Sequence, residues 1–209
     1  MMGIPQEFWD SRFAEQGYAY GDRASRLLMG FRDLLKPGMK AFVPGAGEGR
    51  DAVFLAKCGL DVLAVDLSPV GLGKAVALAE RECVRLKTEA ADLMDWNWPE
   101  GRFDVLAAMF LQVPPDIRPA LHRRMLAALK PGGFMFLEAF TPEQISFQER
   151  FNSGGPPVRE MLFAPEDIGG DFAGAVPFSF WTGTEVLEEG PYHSGPAALI
   201  RAVYRRPEN

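Results

Sequence analysis

Three glycines at alternate positions, Gly45, Gly47 and Gly49, lie in the segment Pro44-Gly45-Ala46-Gly47-Glu48-Gly49, between an apolar run and a helical pattern. Glycine lets a chain turn tightly and lets a ligand approach the backbone with no Cβ in the way. A helix that opens after such a turn offers free N–H groups to a carboxylate or phosphate. Asp66 ends the next apolar run, where an acid can accept hydrogen bonds from both hydroxyls of a ribose. Strand, turn, helix and distant acid together suit a nucleoside-bearing ligand. Ala91-Asp92-Leu93 follows a third short apolar run. There Asp92 can accept from an adenine amino group while Leu93 packs on the ring, although an Asp in a loop also serves as a plain cap. His193 is one of two histidines. An imidazole titrates near neutral pH and can take a proton from a thiol; a hairpin histidine bonded to backbone is the plainer alternative.

The glycine spacing bears on which nucleoside. The nicotinamide fingerprint is GxGxxG, whereas here the third glycine comes one position early and Arg50 follows it. The spacing moves the expectation from a dinucleotide to S-adenosylmethionine, which has no pyrophosphate to cradle. A nicotinamide-dependent oxidoreductase and a non-catalytic S-adenosylmethionine-binding module remain the alternatives.

Strands and helices must position these residues, and the pattern alternates accordingly. Strands are expected over 40–43, 61–65, 84–88, 103–108 and 134–140. Helices are expected over 23–35, 50–57, from Ser68-Pro69 to about Cys83, and over 116–129. Ser68 suits a helix N-cap and Pro69 the first helical position. Lys36-Pro37-Gly38 and Lys130-Pro131-Gly132-Gly133 read as helix stops. Near-continuous apolar strands alternating with helices mean a parallel sheet covered on both faces. Residues 5–22 read as a short helix and loop. Residues 142–164 hold paired prolines and paired glycines without a sustained period, and read as a long loop or loosely helical lid. A short helix is expected over 164–172. Strands at about 176–188 and 193–205, joined through Glu189-Gly190-Pro191, read as an antiparallel hairpin at the sheet edge.

The 209 residues fit one domain. With 47% hydrophobic residues the chain has enough for a full core, and a net charge of −6 disfavours a phosphate-tracking protein. No basic, aromatic-interleaved face for nucleic acid is present. Cys58 and Cys83 have neither metal spacing nor a CxxC pairing, so no metal is expected and both read as reduced thiols. There is no basic start followed by an apolar segment and no apolar run of membrane-spanning length. A cytoplasmic protein is expected, with no nucleic-acid or membrane partner. His122 is expected on an exposed helix face.

The order VPGAGEG (43–49), VDLSP (65–69), AADL (90–93), FDVLAAMF (103–110) and LKPGG (129–133) resembles class I S-adenosylmethionine-dependent methyltransferases, from about Phe8 to Arg206. Val43-Pro44 and Phe8-Trp9-Asp10-Ser11-Arg12-Phe13 look like the thiopurine and halide/thiol branch. Glu189-Gly190-Pro191-Tyr192-His193, with a strand ending Arg201-Ala202-Val203-Tyr204-Arg205-Arg206, looks closer to the tellurite-resistance branch, where Ser194 would be an arginine. The resemblance implies an α/β Rossmann-like single domain over 1–209 with a seven-stranded, mostly parallel sheet. Its strand order would be 3-2-1-4-5-7-6, strand 7 antiparallel, with helices on both faces, an N-terminal helical cap over 1–36 and a candidate substrate lid over 142–164. It implies that Gly45, Ala46 and Gly47 face the methionine end of S-adenosylmethionine. Asp66 would hold the ribose with Leu67 beside the adenine, Asp92 and Leu93 would bind the adenine, and Met109 and Phe110 would lie under the cofactor. Trp9 and Tyr20 would close over it or serve as buried packing. The implied acceptor is a small molecule with a soft nucleophile: a thiol, selenol, halide or tellurium oxyanion. Leu111, Gln112, Val113, Phe140 and Thr141 fall where it would enter, and Phe147, Phe151 and Trp181 could wall an apolar pocket. Val113-Pro114-Pro115 lacks the Asn/Asp and the aromatic that hold planar nitrogens. His193 is the candidate catalytic base, and the protein is expected to act as a monomer or homodimer.

Overall fold

Runs such as 41–43 and 105–108 carry apolar side chains in both directions, so the strands they form need a cover on each face. The computed structural model describes residues 4–208 and shows how that cover is supplied. Strands β1 (Lys40–Pro44), β2 (Asp61–Asp66), β3 (Lys87–Ala90), β4 (Phe103–Met109), β5 (Leu129–Phe140), β6 (Val176–Glu188) and β7 (Ser194–Arg205) form one sheet. Their order is β3-β2-β1-β4-β5-β7-β6. β1 to β5 pair in parallel, and β7 runs antiparallel to both β5 and β6. This is the order expected from the resemblance.

Helices α2 (Arg26–Gly30), α3 (Arg50–Lys57) and α4 (Pro69–Arg81) bury Leu28, Leu55 and Leu72 against Val43, Val105 and Phe136 on one face. On the other, α5 (Arg118–Ala128) and α7 (Pro165–Asp171) bury Leu121, Met125 and Ile168 with Leu106, Leu137 and Tyr204. Two helices lie near the carboxyl ends of the strands: α1 (Gln6–Phe13) packs on α4, and α6 (Gln144–Phe151) packs on β7. Ser68 caps α4 by accepting from Gly71 N, with Pro69 at its first position.

Several boundaries differ from expectation. β3 starts at Lys87, not at 84, because the end of α4 uses the preceding residues: Cys83 turns left-handed and Val84 N donates to Ala79 O. The helix expected over 23–35 is α2 followed by a 3₁₀ turn over Arg32–Leu34. Lys130-Pro131-Gly132-Gly133 lies inside β5, whose pairing jumps from Phe103–Leu129 to Val105–Phe134, so these residues bulge from the ladder. The 142–164 segment holds α6 and a 3₁₀ turn over Arg159–Met161. Gln144 staples it, donating to Ser153 Oγ and Gly154 O and accepting from Ala198 N.

His122 is not on the surface. It is 1% exposed, stacks on Phe172, and its Nδ1 lies 2.8 Å from Asp171 Oδ2, which also accepts from Arg118 Nε at 2.7 Å. Arg118, Leu121, His122 and Met125 form the buried stripe of α5, so the polar members of that stripe need α7 to supply a carboxylate.

Candidate active site

β1 delivers the chain to the glycine turn at the carboxyl edge of the sheet. Gly45, Gly47 and Gly49 take φ of 64°, 52° and 87°, a region that side chains disfavour. Their roles separate when a Cβ is imagined on each. On Gly49 it would fall 2.4 Å from the Cβ of Ala75, so this glycine serves the approach of α4. On Gly45 it would meet Leu111 Cδ1 at 2.8 Å, and on Gly47 the Cζ of Phe13 at 3.3 Å. The main chain here is bare, and two apolar side chains from other elements rest on it.

Asp66, at the end of β2, accepts from Gly47 N at 2.7 Å and from Ser68 N at 2.8 Å, one bond to each oxygen. A carboxylate has about four acceptor positions, so each oxygen keeps capacity for a hydroxyl donor. Burial pushes the Asp66 carboxyl up, and the Ser68 and Gly47 N–H groups pull it back. Ala46 N donates to Val65 O, which locks the turn against β2. An acid with spare lone pairs beside partly exposed, Cβ-free backbone fits an adenosyl ligand carrying an amino-acid end.

The N-terminal segment is strapped across this turn. Asp10 accepts from Ser68 Oγ, and Ala19 N donates to Glu48 Oε2 at 2.7 Å. Lys74 Nζ bridges Glu48 to the carbonyls of Glu15 and Gly17. Phe13, whose ring rests on Gly47, lies stacked on Trp9 and edge-on to Tyr20. Sequence reasoning named Trp9 and Tyr20 as a cover or as buried packing and did not single out Phe13.

On the other expected flank, Leu67 is half-buried, while Asp92 is exposed and accepts from Met94 N at 2.8 Å in a local turn. The Leu93 side chain belongs to the core, and its carbonyl accepts from Trp98 Nε1. An open groove of about 500 Å³ beside β3 meets the expected adenine flank only at Ala91 and Asp92.

Met109 and Phe110 close β4 beside β5. Met109 Sδ lies 3.5 Å from Ser25 Oγ. Phe110 has φ of 56°, and its N–H donates to Glu138 O at 2.6 Å. A left-handed backbone at a bulky residue costs about 1–3 kcal/mol and persists where its surroundings over-determine it. The Phe110 ring lies 4.5 Å from His193, which is also flanked by Tyr20 at 4.6 Å and Phe140 at 5.1 Å. These rings wall the site. Phe151 and Trp181, expected there, are exposed on α6 and β6. Gln112 is committed elsewhere: its amide donates to Phe140 O and Met161 O and accepts from Phe140 N.

Behind His193 lies a group of charges that the sequence did not disclose. Glu138 on β5 pairs in register with Arg201 on β7, and Oε1 meets Arg201 Nε at 2.5 Å. Arg50 Nη1 lies 2.8 Å from Glu189 Oε2, and Arg50 Nε contacts Asp51, which accepts from Ser25 N. Burial works against the Arg50 charge, but Asp51 and Glu189 outweigh it and hold the guanidinium protonated. Burial holds the His193 imidazole below its ordinary value; Glu189 pulls it up in part and Arg50 pushes it down again. Burial pushes Glu138 up to about 7 against the pull of Arg201, with Glu189 adding to the rise. The one available signal for Glu138 was an acid inside the apolar run Phe134-Met135-Phe136-Leu137-Glu138-Ala139-Phe140, a placement that normally requires a partner.

The methyltransferase domain family matches residues 44–133. The chain is 29% identical over 157 residues to thiocyanate methyltransferase 1 of Brassica oleracea, across 73% of this chain and 62% of that one. It is 29% identical over 138 residues to a probable thiol methyltransferase 2 of Arabidopsis thaliana, across 63% of this chain and 57% of that one. It thus spans about six tenths of the length of these curated relatives. Among solved structures, magnesium protoporphyrin IX methyltransferase from Synechocystis with bound SAH superposes with a TM-score of 0.64 at 19% identity, over 96% of this chain and 82% of that one. Sheet order, matched segment and relatives together make the chain similar to the class I S-adenosylmethionine-dependent methyltransferases, thiol and thiocyanate methyltransferases among them.

Proposed function

We propose that this chain moves the methyl group of S-adenosylmethionine onto a small-molecule acceptor held beside Phe110 and His193. The observation that carries the reading is the pairing of bare backbone at Gly45 and Gly47 with one buried acid, Asp66, across the ends of the first two strands. When bound, the cofactor supplies an already activated methyl on a sulfonium. Asp66 accepts from the ribose hydroxyls, and the backbone from Gly45 to Gly47, with Ala46, takes the methionine end. Leu67 and the Asp92-Leu93 segment border the adenine. Phe13 and Leu111 move off the turn to admit the ligand. Met109 and Phe110 form the floor, and Tyr20, Phe110 and Phe140 keep water from the reacting centre, where holding the nucleophile close and aligned supplies much of the rate. His193, neutral and ringed by aromatics, is the candidate proton acceptor. A soft nucleophile is the acceptor class we favour, because the curated relatives are named for thiol and thiocyanate methylation.

The test is twofold. Calorimetric titration should show binding of S-adenosylhomocysteine and none of NADH; the reverse result would replace the reading with an oxidoreductase. Incubation of the protein and S-adenosylmethionine with thiols, iodide and tellurite in turn should release S-adenosylhomocysteine with at least one of them.

A further inference from the structure

Four buried polar atoms in the charge group behind His193 have no hydrogen-bond partner among the described residues: Glu138 Oε2, His193 Nδ1, Arg201 Nη2 and Glu189 Oε2, the last held by its ion pair with Arg50. Glu138 is 0% exposed and His193 5%. A buried polar atom left unpaired costs about 1–3 kcal/mol, so groups of this kind call for a function. Glu138 sits opposite Met109 in the β4–β5 register, and its own carbonyl holds Phe110 N. His193 lies tilted against the same Phe110 ring. Its Nδ1 lies 3.6 Å from Glu189 Oε2, beyond hydrogen-bond reach.

We propose that Glu138 and His193 together accept the proton of the methyl acceptor, so that this site selects proton-bearing nucleophiles over anions that carry no proton. The proposal rests on reading the chain as a methyltransferase and narrows the acceptor of that same site.

The charge pattern supports it. Facing Glu138 and His193 are Arg50 and Asp51 at the start of α3, Glu185 on β6, Glu189 in the β6–β7 turn and Arg201 on β7. Arg12 and Tyr20 face them from the N-terminal segment, and Arg26 of α2 pairs with Glu185. Within the buried part, the Arg50 and Arg201 cations are already paired with Asp51, Glu189 and Glu138. In that paired group three carboxylates stand against two cations, so a monovalent anion such as iodide or thiocyanate would give up its hydration beside an excess of negative charge. A neutral thiol enters without that cost. As its sulfur forms a bond to the methyl carbon, the carbon–sulfonium bond breaks and its electron pair stays on the departing S-adenosylhomocysteine sulfur. The thiol proton passes to the neutral His193 or to the Glu138 carboxylate, and then to solvent. An acid poised near neutral pH suits this task.

Glu138→Gln keeps the shape and removes the titrating group. With 2-mercaptoethanol, whose own thiol ionises well above neutral, wild-type kcat should rise with pH through a limb near 7. The variant should lose that limb and about tenfold or more of kcat at pH 7, within the range for a positioned acid or base. Its calorimetric affinity for S-adenosylhomocysteine should stay within about twofold. At equal concentrations the wild type should methylate 2-mercaptoethanol about tenfold or more faster than iodide or thiocyanate. On the free protein, infrared difference spectra between acid and alkaline pH should show a protonated-carboxyl band that titrates near 7 and is missing from Glu138→Gln. The selectivity and wild-type infrared arms need no variant to fold. Turnover of iodide or thiocyanate as fast as the thiol would overturn the proposal, as would a retained pH limb in the variant or absence of the titrating carboxyl band. Those outcomes leave the methyltransferase reading standing; a wild type that binds no S-adenosylhomocysteine overturns that reading itself.

Discussion

Asp66 does two jobs with one carboxylate. It stitches the glycine turn to β2 through the N–H groups of Gly47 and Ser68, and in the proposed function its remaining lone pairs accept from a ribose. Asp66→Ala removes a charged acceptor, worth about 1.5–3 kcal/mol, so calorimetry should show S-adenosylhomocysteine affinity falling roughly ten- to a hundredfold. Asp66→Asn should recover little, because its amide nitrogen must point at Gly47 N or Ser68 N, both donors. Equal affinity in wild type and Asp66→Ala would place the ribose elsewhere. Asp66 and the glycines were legible because their chemistry is local: a turn, a strand end and a helix start lie in one stretch of sequence. Glu138 was not. Its meaning depends on Arg201, 63 residues away and brought opposite it only by the antiparallel register of β5 and β7.

Among the elements, the reading succeeded where burial alone decides and faltered where one element borrows residues from another. The two-sided apolar runs located β1, β2 and β4 to within a residue or so. β3 was placed early because the left-handed Cys83 extends the close of α4, a tertiary accommodation with no sequence period. Lys130-Pro131-Gly132-Gly133 stops a helix, but it also bulges within a strand, and only the ladder tells the two apart. The 142–164 segment lacked a period because glutamine side chains, not an apolar stripe, fasten it: Gln144 and Gln148 donate to Ser153 Oγ and to the carbonyls of Gly154 and Pro156, and Gln144 accepts from Ala198 N on β7. The junction of α3 and α4 gives the sharpest test at this scale. Gly49 holds φ of 87° at the N-cap of α3, and a Cβ there would fall 2.4 Å from Ala75. Gly49→Ala therefore pays for both left-handed backbone and overpacking, about 2–5 kcal/mol together. Urea unfolding should show that loss, whereas Gly73→Ala in α4, where a Cβ meets nothing within 4 Å, should be neutral or stabilising.

Both histidines of the molecule are buried, and this shapes its response to acid. His122 lies with α5 on one side, its Nδ1 against Asp171, and His193 lies among the rings at the site. Burial holds both imidazoles below the ordinary value of 6.5. Above pH 6.5 folded and unfolded chains both keep them neutral, and no stability is lost. As pH falls below 6.5 the unfolded chain takes up protons that the folded chain refuses, so the folded state weakens with each step down until the depressed values are reached. Glu138 acts in the opposite sense. Its value of about 7 lies above the ordinary 4.5, so its contribution is full below 4.5 and is lost as pH rises through 7. Burial works to raise Asp171, yet its bonds from His122 and Arg118 prevail and hold it below 3.8, outside the histidine window. His122→Gln should isolate one term. Urea unfolding at pH 7.5, 6.5, 5.5 and 5.0 should show a shallower acid decline in the variant than in wild type. The difference in slope is bounded by one proton, about 1.4 kcal/mol per pH unit. Parallel curves would mean that the α5–α7 contact lets His122 protonate in place, with Asp171 carrying the charge.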